Sequence, residues 1–113
     1  MNQVITSSLP GDEPTEYSYL EIPPLSEPKC GFSAVVYDKT NIVVLGGENS
    51  SQYFDTVFMF DTINNKWIEL PSMPTARCDF AAGVAGSTII AAGGFNSESI
   101  NCIVEIMDMK TRT

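Results

Sequence analysis

An all-β protein built from repeats is the fold this sequence predicts, and three observations carry the prediction. Short runs of β-branched and aromatic residues, such as FSAVVY (32–37), IVVL (42–45) and DTVFMFD (55–61), are separated by polar turn clusters, which favours strands over helices. Two double glycines, Gly46-Gly47 and Gly93-Gly94, lie 47 residues apart. The chain also aligns with itself. At an offset of 48, Tyr19 meets Trp67, Glu21 meets Glu69, Pro23 meets Pro71, Cys30 meets Cys78 and Phe32 meets Phe80. After a one-residue slip in the 38–41 turn the offset becomes 47, and Ile42 meets Ile89, Asn49 meets Asn96, Val57 meets Val104 and Asp61 meets Asp108. A period in this range is the mark of a repeat architecture.

The elements follow in order. Residues 1–16 mix Ser, Pro, Gly, Asp and Glu without periodicity and read as a flexible lead-in. YSYLEI (17–22) alternates large apolar and polar residues, which fits a half-buried strand, and Pro23-Pro24 stops it because proline cannot donate to a ladder. FSAVVY and IVVLGG (42–47) are joined by Asp38-Lys39-Thr40-Asn41, a hairpin signal. IVVL is apolar at every position and is expected to be covered on both faces. After the loop ENSSQYF comes DTVFMFD, then a polar turn, then KWIEL (66–70) as a fourth short strand. PSMPTAR connects to the second copy. There FAAGVA (80–85) pairs with TIIAAGG (88–94) across Gly86-Ser87, and CIVEIMD (102–108) mirrors DTVFMFD. The chain thus divides into 17–28, the tail of a preceding unit; 29–76, a complete unit; and 77–113, a second unit lacking its last strand.

Composition excludes several classes. With 113 residues and 43% hydrophobic content, the chain suits a small globular body rather than a disordered segment. A formal charge of −8 without a basic cluster argues against nucleic acid and anionic membrane as partners. No signal peptide and no apolar run of spanning length is visible. Three cysteines without a CxxC read as reduced thiols of a cytoplasmic protein.

No cofactor or metal site is expected. Histidine, the commonest general base and metal ligand, is absent. None of GxGxxG, GxxxxGK[ST], GxSxG or HExxH occurs, and IVVLGGEN lacks the third glycine and following helix of a nucleotide-binding turn. Cys30 and Cys78 share one repeat position, each after a basic residue, Lys29 and Arg77. A basic neighbour can lower a thiol's pKa, whereas the structural reading is a small residue packed where a strand starts. Asp61 and Asp108 are matched by repeat rather than proximity, so they read as turn caps bonded to backbone amides. Met59, Met73, Met107 and Met109 read as core filler.

An apolar strand running into Gly-Gly, a variable loop, a strand ending in Asp61, then Trp67 and PSMPTAR resembles the kelch motif over residues 17–113. The resemblance implies two kelch-type blades of an incomplete β-propeller, each nominally a four-stranded antiparallel sheet. It makes Gly46, Gly47, Gly93, Gly94, Asp61, Trp67 and Asp108 structural, with Trp67 filling a gap between blades. Closed propellers have about four to eight blades, so the length implies a fragment or short form of a larger propeller, a chain completed by self-association, or a remnant. Function would sit on loops held by rigid blades. Kelch proteins that bind peptides use the loop after Gly-Gly and the basic residue opening the next unit. That nominates Asn49, Ser50, Ser51 and Gln52, their counterparts Asn96, Ser97, Glu98 and Ser99, and the pair Lys29 and Arg77. For Arg77 two roles stay open, a fork gripping an acidic segment or a local structural bond. The implied function is a non-enzymatic module that binds a protein or peptide. The alternatives are a piece of a kelch-type enzyme whose catalytic residues lie elsewhere, and a non-functional remnant.

Overall fold

The structure, a computed structural model, describes residues 3–7, 15–100 and 102–113. Nine strands of five residues are present there: β1 (Gln3–Ser7), β2 (Thr15–Tyr19), β3 (Ser33–Tyr37), β4 (Asn41–Leu45), β5 (Val57–Asp61), β6 (Lys66–Leu70), β7 (Ala81–Ala85), β8 (Thr88–Ala92) and β9 (Val104–Asp108). They form three antiparallel sheets, ordered β1-β2, β3-β4-β5-β6 and β7-β8-β9. The second and third repeat one antiparallel order, four strands and then three, as the resemblance implies, so the all-β prediction holds.

Two differences appear at the N-terminal side. Of the expected flexible lead-in, residues 1, 2 and 8–14 lie outside the described residues, but Gln3–Ser7 is a strand paired from Gln3↔Tyr19 to Ser7↔Thr15. Its consecutive β-branched residues Val4, Ile5 and Thr6 supply the strand preference that the surrounding Ser, Pro and Gly obscure. The strand expected over 17–22 sits at Thr15–Tyr19, and Leu20–Ile22 continue as irregular chain towards the prolines.

Turn chemistry fixes the registers. Asp38 and Lys39 both take positive φ, 53° and 61°, in the three-residue loop that closes β3 on β4 with Tyr37 opposite Asn41. The first blade then pairs Leu45 with Val57 and Phe60 with Trp67 across β4-β5-β6. In the second, Ala85 faces Thr88 across Gly86-Ser87, and Ile90 faces both Gly83 and Ile106.

Because successive side chains alternate faces, each blade has two. The face of the first blade carrying Val35, Val43, Leu45, Val57, Met59 and Leu70 packs on the face of the second carrying Ala82, Ile89, Ala91 and Met107. Met73 and Met109 close this core, with 8% and 5% of their surface exposed. β3 lies beside β7, where the Ser33 hydroxyl donates to the Phe80 carbonyl at 2.6 Å. Burial of IVVL on both faces is only partly realised: Val43, Val44 and Leu45 are buried, but Ile42 stays 36% exposed. In TIIAA, Ile89 and Ala91 are buried while Ile90 and Ala92 are half-buried, since they point away from the first blade.

Candidate functional site

The double glycines bring the loops and the inter-unit connection together. Gly46 sits at φ 62°, and a Cβ there would lie 2.6 Å from the Arg77 carbonyl oxygen and 2.8 Å from Cε1 of Phe80. Only glycine gives this approach. Through it, Gly47 N donates to the Arg77 carbonyl at 2.9 Å, and Arg77 N donates to the Phe54 carbonyl at 3.2 Å. The start of the second unit is thereby stitched to the loop of the first.

Each loop after Gly-Gly is shaped by one asparagine. Asn49 Oδ1 accepts from Ser51 N at 2.8 Å and Gln52 N at 2.9 Å. Asn96 Oδ1 accepts likewise from Glu98 N at 2.9 Å and Ser99 N at 3.2 Å. Asn49 N and Asn96 N close the same loops on the Gln52 and Ser99 carbonyls, at 3.0 and 3.1 Å. Asx-type turns of this kind let a short side chain replace a backbone partner. Asn96 Nδ2 additionally donates to the Ala76 carbonyl at 2.9 Å, tying the second loop to the connection between units. The asparagines therefore shape the loops, leaving Ser50, Ser51, Gln52, Ser97 and Glu98 exposed at their tips.

Both tips open on one polar cleft of about 800 Å³, with Pro74, Thr75 and Ala76 between them. Of the nominated residues, Asn49, Ser50, Ser51, Gln52, Asn96, Ser97 and Glu98 line it, and Ser99 does not. Glu48, Tyr53 and residues 74–76 line it as well. Their signal in the sequence was position, since each flanks a nominated loop or belongs to the connection that joins the units. The cleft's charged residues, Glu48 and Glu98, are both acidic.

Lys29 and Arg77 require a correction, because neither side chain reaches the surface. Both are 0% exposed. Arg77 Nη1 donates to the carbonyls of Gly93 (3.1 Å) and Ile103 (2.9 Å), and Nη2 donates to Glu105 Oε1 at 2.6 Å. Thr75 Oγ1 donates to the other oxygen, Oε2, at 2.6 Å. Lys29 Nζ bonds Glu27 Oε1 at 3.1 Å and Thr56 Oγ1 at 3.4 Å, and lies 5.1 Å from the ring centre of Phe54. The two sites are the same position solved twice with partners exchanged. Glu27 corresponds to Thr75, and Phe58 to Glu105, so the carboxylate comes from the entering segment in one unit and from β9 in the other. The structure thus gives Arg77 the local structural bond, not the fork for an acidic segment.

For the thiols the structure favours the structural reading over the reactive one. Cys30 and Cys78 are held above the usual thiol range rather than below it. For Cys30 the cause is Glu48, whose Oε2 accepts from Sγ at 3.1 Å and whose charge opposes the thiolate. Burial does the same for Cys78, with Asp79 next. The neighbouring ammonium and guanidinium, the groups able to activate them, are turned towards Glu27 and Glu105. Slow thiol chemistry at neutral pH follows.

The remaining motif residues finish the blade ends. Asp61 Oδ1 accepts from Ile63 N (2.9 Å) and Asn64 N (3.1 Å), while Oδ2 takes Asn64 Nδ2 at 2.7 Å. These bonds, the Asn64 side chain first, hold its carboxyl below the ordinary range. Asp108 Oδ1 accepts from Lys110 N at 2.8 Å. Trp67 is half-buried, 5.0 Å from Phe60 at 54°, and its Nε1 donates to the Pro23 carbonyl at 2.8 Å. It faces the segment that enters the first unit. Among the described residues, no group of three or more Cys, Asp and Glu could hold a metal ion, and no helix is long and apolar enough to cross a membrane.

Comparison with known proteins agrees with this geometry. The kelch motif matches residues 29–74 and again 76–113. An F-box/kelch-repeat protein of Arabidopsis thaliana is 37% identical over 98 residues, which cover 84% of this chain and 26% of that protein. Spermatocyte protein spe-26 of Caenorhabditis elegans is 39% identical over 80 residues, 66% of this chain and 14% of its own length. Kelch repeat and BTB domain-containing protein 2 of horsepox virus is 33% identical over 76 residues, 67% and 14% respectively. The chain therefore spans about a quarter or less of these relatives.

Proposed function

The chain belongs to the kelch-repeat family, and we propose that its two blades present the polar cleft between the 49–52 and 96–98 loops to a protein or peptide partner. One observation carries the proposal: equivalent loops of successive units, shaped alike by Asn49 and Asn96, open on the same cleft. A binding surface is expected on loops that rigid elements hold in place, and here the hydrogen-bonded connection 73–77 does the holding. Relatives named for F-box and BTB domains carry kelch repeats beside other modules, which supports a non-catalytic interaction role within a larger or assembled protein. Three free cysteines suit a reducing cytoplasm.

The reading of kelch interaction loops is tested by comparing partners captured from source-cell extract by the native chain and by a Ser50→Arg, Ser97→Arg double variant. Both positions are exposed, so the fold survives the change. Any specific partner is expected to fall at least about tenfold in recovery, since a clash and a charge at an interface centre cost more than about 1.4 kcal/mol. Equal recovery by the two chains would remove the cleft from the binding surface.

A further inference from the structure

The fold separates the chain's charges by end. Of the 6 Lys and Arg residues, Lys39, Lys66, Lys110 and Arg112 are exposed on or beside the turns that follow β3, β5 and β9. Those turns lie at the strand ends opposite the loops after Gly-Gly. Lys29 and Arg77 belong to the loop end, but both are buried and paired with Glu27 and Glu105. No lysine or arginine is therefore open to a ligand at the end that carries the cleft.

Carboxylates are open there. Glu48 and Glu98 come from different repeat positions, since Phe95 matches the first and Ser51 the second. Glu98 is exposed at its loop tip, and among the described residues its carboxylate has neither a hydrogen bond nor an ion pair. Glu48 is half-buried with the Cys30 thiol as its partner, a neutral group that leaves the charge uncompensated. Between the loops the cleft also offers a ring. Tyr53 lines it, half-buried and steadied by a T-shaped contact with Phe95 at 6.3 Å and 69°. Donors are scarce by comparison, because the amides of Ser51, Gln52, Glu98 and Ser99 are all taken by Asn49 and Asn96. An anion entering the cleft meets two like charges and few free N–H groups.

Resting on the reading of the cleft as a binding surface, we propose that its occupant is a basic segment of a protein partner, with an arginine guanidinium between Glu48 and Glu98 and against the Tyr53 ring. A planar guanidinium suits the three groups together, since its fork donates to carboxylates in its plane while its face stacks on an aromatic ring. The hydroxyls of Ser50, Ser51 and Ser97 line the same cleft and supply acceptors for the backbone amides of that segment. Opposite charge also speeds the encounter, because this end of the body presents one sign only.

The test is fluorescence anisotropy of the full chain with a labelled Arg-Gly-Ser-Arg-Gly-Ser peptide, and with the same peptide carrying Glu for each Arg. The arginine peptide is expected to bind saturably and the glutamate peptide not at all. Glu48→Gln with Glu98→Gln is expected to weaken binding at least about tenfold, through loss of charge-assisted hydrogen bonds. Tyr53→Leu is expected to weaken it about threefold. Asp38→Asn with Glu69→Gln removes the same charge at exposed positions outside the cleft and is expected to change it less than about twofold. Equal weakening by the two double variants would mean general attraction to an acidic chain and overturns the proposal, as does absence of saturable binding. Extract capture separates this failure from failure of the cleft itself. Partner recovery lost with Ser50→Arg, Ser97→Arg but kept with Glu48→Gln, Glu98→Gln leaves the cleft standing and removes the basic occupant.

Discussion

Replacing Arg77 with alanine is expected to destabilise the chain by about 3–5 kcal/mol, the usual cost of removing one partner from a buried ion pair. The guanidinium is fully buried and satisfies three acceptors at once, the carbonyls of Gly93 and Ile103 and the carboxylate of Glu105. Alanine leaves all three without that donor, and the Glu105 side chain, 14% exposed, has little water to turn to. Equilibrium urea unfolding measures the loss. Glu105→Ala in the same chain is expected to recover part of it, since the carboxylate then no longer needs a counter-charge. Lys29→Ala is expected to cost less, because Glu27 is 23% exposed and can be hydrated. A loss below about 1 kcal/mol for Arg77→Ala would mean that this network does not hold the second unit in place.

Gly46→Ala is the second large effect. The left-handed backbone at φ 62° costs a residue with a Cβ about 1–2 kcal/mol. Pushing that Cβ against the Arg77 carbonyl and the Phe80 ring adds about 1–3 kcal/mol, because the carbonyl is bonded to Gly47 N and cannot move freely. Thermal unfolding of the variant should show a clearly lower midpoint, and loss of the 49–52 loop's geometry should accompany it. Gly86→Ala makes the comparison: its φ of 59° carries the same backbone cost, but a Cβ there meets nothing within 4 Å. Equal effects at the two positions would show that steric closeness at Gly46 contributes nothing.

These two positions also show where sequence reasoning reaches and where it stops. The repeat, the strands and the Gly-Gly positions are legible because period, β-branched runs and turn residues are local signals. The loops were legible for the same reason, since Asn49 and Asn96 recur at the repeat offset and shape their own turns. The fate of Lys29 and Arg77 was not. Whether a long cation reaches solvent depends on which residue stands opposite it, and Glu27 and Glu105 occupy different repeat positions. The exchange is invisible to an alignment that matches like with like. For the cysteines the sequence left two readings, and what separates them is not local: the adjacent cation points away while Glu48, distant in sequence, points in. Strand β1 was hidden by length: five β-branched-rich residues inside a Pro, Gly and Asp context carry too weak a period to stand out.

The cleft exists only while the two blades stay stacked as one body. Unfolding in urea followed by two probes tests this directly. Trp67, the one tryptophan, reports the first blade by fluorescence, and Cys78, 1% exposed, reports the junction by thiol labelling in a Cys30→Ser, Cys102→Ser background. A shared core of Val43, Leu45, Val57, Ile89 and Ala91 predicts coincident transitions with one midpoint. Cys78 becoming reactive well before the Trp67 signal changes would contradict it, and would mean that the blades separate while each remains folded.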